Sequence, residues 1–250
     1  MSQTRAPGED RIVFFDLETG GLDPTKHPLV QFAAIAVDCK TFESLSGISL
    51  RIQFDPRTCD EEALAVIGWP DKQELWTHAK HPLDAIALIC GFLDVHSTRK
   101  RVSKKTGRPF YVARAAGHNA ARFDYDFLER WVKRIRPGTF LPMDVQVLDT
   151  VHLALWRGLG QDLQPESFKL EALATFLEIP QSEFHDADND VRTTVELARR
   201  LLHYWQWPRP SGKLEFHGER PVVQEAVSEV RNIDEPSDPA SPHLEDGTPF

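Results

Sequence analysis

Apolar residues in this chain come as short runs and as helical stripes, and their spacing divides it into elements. Ile12 to Phe15 run straight into Asp16, Leu17 and Glu18, followed by Gly20-Gly21. That pattern predicts a buried strand left through a glycine turn. Residues 29–37 are apolar and predict a second strand, although Gln31 to Ile35 also fits a helical period. Leu45, Ile48, Leu50, Ile52 and Phe54 mark a third strand over 45–54. The short connections predict an antiparallel meander. Helices are expected over 60–67, capped by Asp60 or Thr58, and over 82–93, with Pro82 near the start. A fourth strand is expected at 111–116. The helix from about Ala121 to Lys133 places Phe127, Leu128, Trp131 and Val132 on one side. A fifth strand at 145–148 and helices over 150–156, 168–177 and 187–205 complete the series. The order predicts an α/β fold, a mixed five-stranded sheet flanked by helices.

Length and composition sharpen this picture. A chain of 250 residues with 41% hydrophobic content holds one full core with some chain left over. No stretch approaches the ~18 continuous apolar residues of a membrane span. Residues 1–10 are polar, with Pro7 and Gly8, and lack the apolar segment of a secretory signal, so the expected location is cytoplasmic. Cys39, Cys59 and Cys90 are far apart and form neither a disulfide framework nor a zinc pattern; Cys90 reads as a buried small residue. The core is expected over 11–207. Beyond it, 208–250 holds seven prolines and nine acids against four bases, and reads as a disordered or docking tail.

Net charge is −9, which at first argues against nucleic acid, but the bases are clustered. Between Val95 and Phe123 stand eight Lys or Arg residues and no acid. The insertion at 96–109 reads either as a solvated loop, with a hairpin or disordered tip at Gly107-Arg108, or as a phosphate-contacting flap beside a metal site. Trp69 and Trp76 read as core or, less favoured, as the wall of a groove.

Asp16 and Glu18 share one face of their strand. Two like charges there repel and lose hydration; a divalent cation relieves both, and Mg²⁺ or Mn²⁺ prefers oxygen ligands. The bland alternative is a solvated pair at a strand end. Two further acids stand at helix starts, Asp124 and Asp190, with His185 near the latter. Asp186 and Asp149 read as helix caps, and Asp188 as solvated or supporting.

Three segments carry a resemblance. Phe15-Asp16-Leu17-Glu18-Thr19-Gly20-Gly21-Leu22 is the first and Gly117-His118-Asn119-Ala120-Ala121-Arg122-Phe123-Asp124 the second. The third is His185-Asp186-Ala187-Asp188-Asn189-Asp190, with the histidine five residues before the last aspartate. In this order they resemble the motifs of the DEDD superfamily of 3′–5′ exonucleases, in its histidine-bearing DEDDh branch. That branch includes polymerase proofreading subunits, oligoribonuclease and the ribonuclease that trims transfer RNA ends. The resemblance covers about residues 11–206 and leaves the basic insertion and the tail outside it.

It implies a ribonuclease H-like sheet, an antiparallel meander plus two parallel strands. It also implies two divalent ions, Mg²⁺ or Mn²⁺, held by Asp16, Glu18, Asp124 and Asp190, with Asp16 bridging both. Such a pair relieves charge on the attacking and leaving oxygens of a phosphodiester. His185 is implied as general base, a task suited to imidazole. Leu17 and Thr19 are implied to receive the 3′-terminal nucleotide, as a wedge at the last base and a contact to the 3′-hydroxyl; Leu17 equally reads as core. His118 and Asn119 fix the second segment or line the groove, and Phe123 is a stacking surface or core.

The expected activity is release of nucleoside 5′-monophosphates from the 3′ end of single-stranded nucleic acid. DNA is favoured over RNA because Phe168-Lys169-Leu170-Glu171-Ala172-Leu173 resembles its counterpart in proofreading subunits. An exoribonuclease acting on short RNA or transfer RNA ends is the main alternative. Others are a non-enzymatic nucleic-acid-binding module and a polymerase-associated subunit docked through the tail.

Overall fold

A computed structural model describes residues 10–159, 163–180 and 185–203; the expected tail lies outside the described residues. In chain order the elements are β1 (Arg11–Thr19), β2 (Leu29–Asp38), β3 (Ser44–Arg51), α1 (Glu61–Val66) and α2 (Pro82–Val95). Then come β4 (Arg99–Val102), β5 (Pro109–Val112), β6 (Arg114–Gly117), α3 (Asp124–Ile135), β7 (Leu148–Asp149), α4 (Thr150–Leu159), α5 (Leu170–Phe176) and α6 (Ala187–His203). The main sheet has the order β3-β2-β1-β6-β7: β1, β2 and β3 form the antiparallel meander, and β6 and β7 add in parallel. No helix among the described residues is long and apolar enough to cross a membrane.

Alternation along β1 sorts its side chains between two layers. Val13, Phe15 and Leu17 pack with Ile86, Ile89 and Leu93 of α2 and with Phe127, Leu128, Trp131 and Val132 of α3. Ile12 and Phe14 face Ala187, Val191 and Ala198 of α6. β2 is buried on both faces, which explains its continuous apolar run and its false helical period. Each large side chain buried here contributes roughly 1.5–3 kcal/mol. Smaller residues of α4, α5 and α6 close a third cluster around Leu163, Leu173, Leu197 and Leu201.

Several expectations are corrected. Residues 111–116 are divided: Tyr111 and Val112 belong to the β4–β5 hairpin, while Arg114 starts the main-sheet strand. Between them, the Ala113 amide donates to Pro142 O at 2.9 Å and its carbonyl accepts from the Asp144 amide at 2.9 Å. The fifth strand shrinks to two residues, because Asp144 and Gln146 are turned towards Arg99 and Arg101 of the hairpin. α3 starts at Asp124 rather than Ala121, because Asp149 holds the Asn119 and Ala121 amides in a preceding turn. Trp69 and Trp76 lie outside the main core. With Phe54 they form a half-buried, edge-to-face triad with centroid spacings of 5.2–6.0 Å. Cys90 is half-buried, and all three cysteines are free.

The basic insertion folds as a hairpin, but not beside the acids. It leads into the start of β6, and Arg114 there pairs with Ile12 at the start of β1. The end of α2 lies at the same pole, where His96 meets Arg11 and Ser46. Asp16 and Glu18 lie towards the other end of β1.

Candidate metal centre

The β1–β6 ladder runs only from Ile12 to Phe14, so beyond it that edge of β1 meets the turn after β6. Gly117 permits the approach: a β-carbon there would stand 2.9 Å from Phe15 O and 2.4 Å from Ala120 Cβ. The turn is pinned from below. Asp149 accepts from the amides of Asn119 (2.9 Å), Ala121 (3.1 Å) and Val151 (3.0 Å). His118 meets Thr150 Oγ1 at 2.8 Å through Nδ1 and Phe168 O at 3.1 Å through Nε2. Both ring nitrogens are thus engaged within the fold. Asn119 is exposed, with φ 60°.

This turn delivers Asp124 as the first residue of α3, where it is buried and accepts from the Leu17 amide. Asp126 is exposed and paired with Arg130 at 2.8 Å, which separates the two acids. Phe123 is half-buried against Phe127, with ring centroids 5.5 Å apart. Leu17 is buried in the core. The Thr19 hydroxyl donates to Gly21 O at 2.9 Å, leaving its oxygen lone pairs as acceptors.

From the other layer, α6 brings Asp190. Asp186 caps the helix by accepting from the Asp188 amide at 3.1 Å, and its carboxylate also binds Arg51 at 2.7 Å. Asp188 pairs outward with Arg192. His185 has φ 61°, a left-handed conformation that is uncommon for a residue other than glycine. Its amide donates to Asp190 Oδ2 at 3.2 Å, and its Nε2 stands 3.7 Å from Glu171 Oε1 of α5.

The four acids lie close enough to repel one another. Burial, then Asp124, Glu18 and Asp190, hold Asp16 well above the usual carboxylate range. Burial, Asp190 and Asp124 push Glu18 up to about 8. Burial pushes Asp124 up to about 7, against the opposing pull of its own amide and that of Leu17. Burial pushes Asp190 up to about 6, opposed by His185. Ligand atoms of Glu18, His185 and Asp190 all lie within 4.8 Å of one another. Asp190 Oδ1 is buried without a hydrogen-bond partner among the described residues, an orphan that a cation satisfies. An oxygen-rich, mutually repelling donor set of this kind fits a hard divalent cation.

Strand register adds residues that sequence reasoning missed. Glu18 pairs with Gln31, and Gln31 with Arg51, so the three form one row across the sheet on the same face. Gln31 is 2% exposed and its Nε2 has no partner among the described residues. The one sequence signal was a glutamine inside an apolar run. Arg51 also lies over the Trp76 ring, 5.4 Å from its centroid, and so links the aromatic triad to Asp186.

No family model matches the chain. Its architecture does match solved structures. Exonuclease I from Methylocaldum szegediense aligns with a TM-score of 0.59 at 22% identity, over 80% of this chain and 41% of that one. E. coli exonuclease I in complex with a dT13 oligonucleotide gives 0.59 at 21% identity, over 80% and 42%. The zinc ion bound form of the E. coli ExoI–ssDNA complex gives 0.59 at 21%, over 79% and 43%. The chain thus spans less than half the length of these proteins. What it shares with them is the fold, a ribonuclease H-like mixed sheet flanked by helices.

Proposed function

We propose that the chain is a divalent-metal-dependent 3′–5′ exonuclease that acts on single-stranded DNA and releases nucleoside 5′-monophosphates. The observation that carries this reading is the convergence of Asp16, Glu18, Asp124 and Asp190, drawn from β1, α3 and α6, with proton affinities raised by burial and mutual repulsion. In this reading those four residues would hold two ions, Mg²⁺ or Mn²⁺. Bound there, the ions supply charge relief at the phosphate and its attacking and leaving oxygens. The exonuclease I structures of the same fold, two of them with single-stranded DNA, support DNA as substrate.

The chain's own groups supply the remainder. His185 accepts the proton of the attacking water, and Glu171, 3.7 Å from its Nε2, steadies the imidazolium so formed. The Thr19 oxygen accepts from the terminal 3′-hydroxyl. Asn119 and Phe123 border the strand from the second segment. Leu17 donates its amide to Asp124. Trp69 and Trp76 offer half-buried ring faces on which a base can stack.

The test is parallel digestion of 5′-labelled DNA and RNA oligomers with Mn²⁺ and with chelator. DNA shortened stepwise from its 3′ end only with Mn²⁺ is the expected result. Cleavage of RNA alone replaces this reading with the exoribonuclease one. If neither polymer is cut, and Asp16→Ala behaves as wild type, the enzyme reading fails.

A further inference from the structure

The β4–β5 hairpin stands at the pole of the sheet away from the carboxylates, and its cations are sorted by side. Arg99 lies opposite Val112 and Arg101 opposite Phe110, all on the inner face. Arg99 and Arg101 bind Asp144 at 2.8 and 2.6 Å, where its side chain is 1% exposed. Phe110 packs edge-on against Phe140, with centroids 5.8 Å apart. These contacts fix the hairpin to the body. Its turn is closed by Ser103 and Thr106 and by Gly107 at φ 67°.

The outer face carries the other charges. Lys100 lies opposite Tyr111, and both are exposed. Lys104, Lys105 and Arg108 are exposed at the tip. No ion-pair partner among the described residues neutralises any of these four cations, and the segment holds no acid. An exposed aromatic ring among unneutralised cations matches single-stranded nucleic acid, whose phosphates need charge and whose bases need a flat surface.

We propose that this outer face, Lys100 and Tyr111 with Lys104, Lys105 and Arg108, is a second binding site for single-stranded nucleic acid, remote from the carboxylates. Resting on the exonuclease reading, it holds the 5′ portion of a strand whose 3′ end lies at Asp16. The hairpin joins the sheet at the level of Ile12, four residues and about 13 Å before Asp16 at a strand rise of ~3.3 Å per residue. A mononucleotide substrate does not span that distance, whereas a strand of sixteen does.

The experiment compares wild type with two variants. One replaces Lys100, Lys104, Lys105 and Arg108 together by Glu, and the other is Tyr111→Ala. Two substrates are used: the p-nitrophenyl ester of thymidine 5′-monophosphate and a dT16 strand. Binding of dT16 is also measured by anisotropy in Ca²⁺ across 50–200 mM salt. In the charge variant, kcat/KM for dT16 falls at least 10-fold while the ester is hydrolysed within 2-fold of wild type. The slope of log affinity against log salt becomes shallower by up to about 2.8, at ~0.7 per phosphate contact. Tyr111→Ala weakens dT16 binding without changing the slope. Equal loss on both substrates, or no loss on either, overturns the proposal. If wild type hydrolyses neither substrate, the exonuclease reading fails on its own, and anisotropy alone decides. At least 10-fold weaker dT16 binding in the charge variant then upholds the second site, and unchanged binding overturns it.

Discussion

The main-chain amide of His185 donates to Asp190 Oδ2 at 3.2 Å, so the candidate base and the candidate ligand are tied through backbone rather than through the imidazole. Removing the ring leaves the tie in place. His185→Ala is therefore expected to lower kcat by about 10²–10⁴-fold, the usual contribution of a general base. Thermal stabilisation by Mn²⁺ should persist at no less than half its wild-type extent. A variant that loses both would make His185 a structural or ligating residue instead.

Stability should fall as pH rises when divalent ions are chelated. Glu18, Asp124 and Asp190 have folded-state values of about 8, 7 and 6, above the ~4 of unfolded carboxyls. The folded state then binds more protons than the unfolded one, and stability declines through the window from about pH 4 to 8. Each kcal/mol lost lowers Tm by ~2–4 °C for a domain of this size. Melting curves in chelator at pH 5.5 and 8 measure it, and added Mn²⁺ should recover most of the difference by binding only the folded state. A Tm higher at pH 8 than at pH 5.5 in chelator contradicts the account.

Neutralising the most hindered acid should separate stability from activity. Asp16→Asn removes one of four repelling groups and keeps the shape. It is expected to raise Tm in chelator at pH 8, because one charge that Asp124, Glu18 and Asp190 repel is removed. The same variant should lose nuclease activity and most of the response to Mn²⁺. A lower Tm with activity retained would place Asp16 outside the centre.

Gly117 carries a steric prediction. Gly117→Ala forces a β-carbon against Phe15 O and Ala120, at a cost of ~1–3 kcal/mol for overpacking. Because this turn sets Asp124, activity should fall more than stability at 25 °C explains. Equal losses in a distant destabilised control, such as Leu93→Ala at the opposite pole, would remove that distinction.

Asp144 anchors the hairpin. Burial raises its proton affinity, but the Arg101 hydrogen bond, the Gln146 amide and both arginine charges outweigh this and lower it overall. Its contribution is present above the unfolded value near 4 and is lost as pH falls through the lower folded value. Asp144→Ala should cost about 2–3 kcal/mol, less than a fully buried pair because both arginines are partly exposed. Denaturant midpoints at pH 7 measure it. A midpoint unchanged from wild type would show that the arginines find equivalent partners elsewhere.

Much of this arrangement was legible in the sequence. The apolar run into Asp16 and Glu18 marks both a buried strand and two acids on one face, because strand geometry leaves no other placement. What single segments cannot carry is the pairing between them. The row Glu18, Gln31, Arg51 depends on register across three strands. The division at Ala113 depends on contacts with 142–144. The length of β7 depends on arginines more than forty residues earlier, and the start of α3 on the carboxylate that ends the next strand. The hairpin's charge was plain, but its place at the far pole followed only from the β1–β6 register. The motif around Phe168, read as a hint of substrate, serves packing: its carbonyl meets His118 and its ring lies against Gly158.

The double hold on Ala113, by Pro142 O and the Asp144 amide, makes a joint between two parts of unequal freedom. Downstream, β6 must deliver Asp124 to within reach of Asp16, and a slip of one residue would invert its faces. Upstream, the inner face of the hairpin is bound to Asp144 and Phe140, but its turn meets no such constraint. Residues 103–108 can therefore be shortened, lengthened or recharged while the carboxylates keep their spacing. Substrate reach and chemistry can then be altered separately in the same chain.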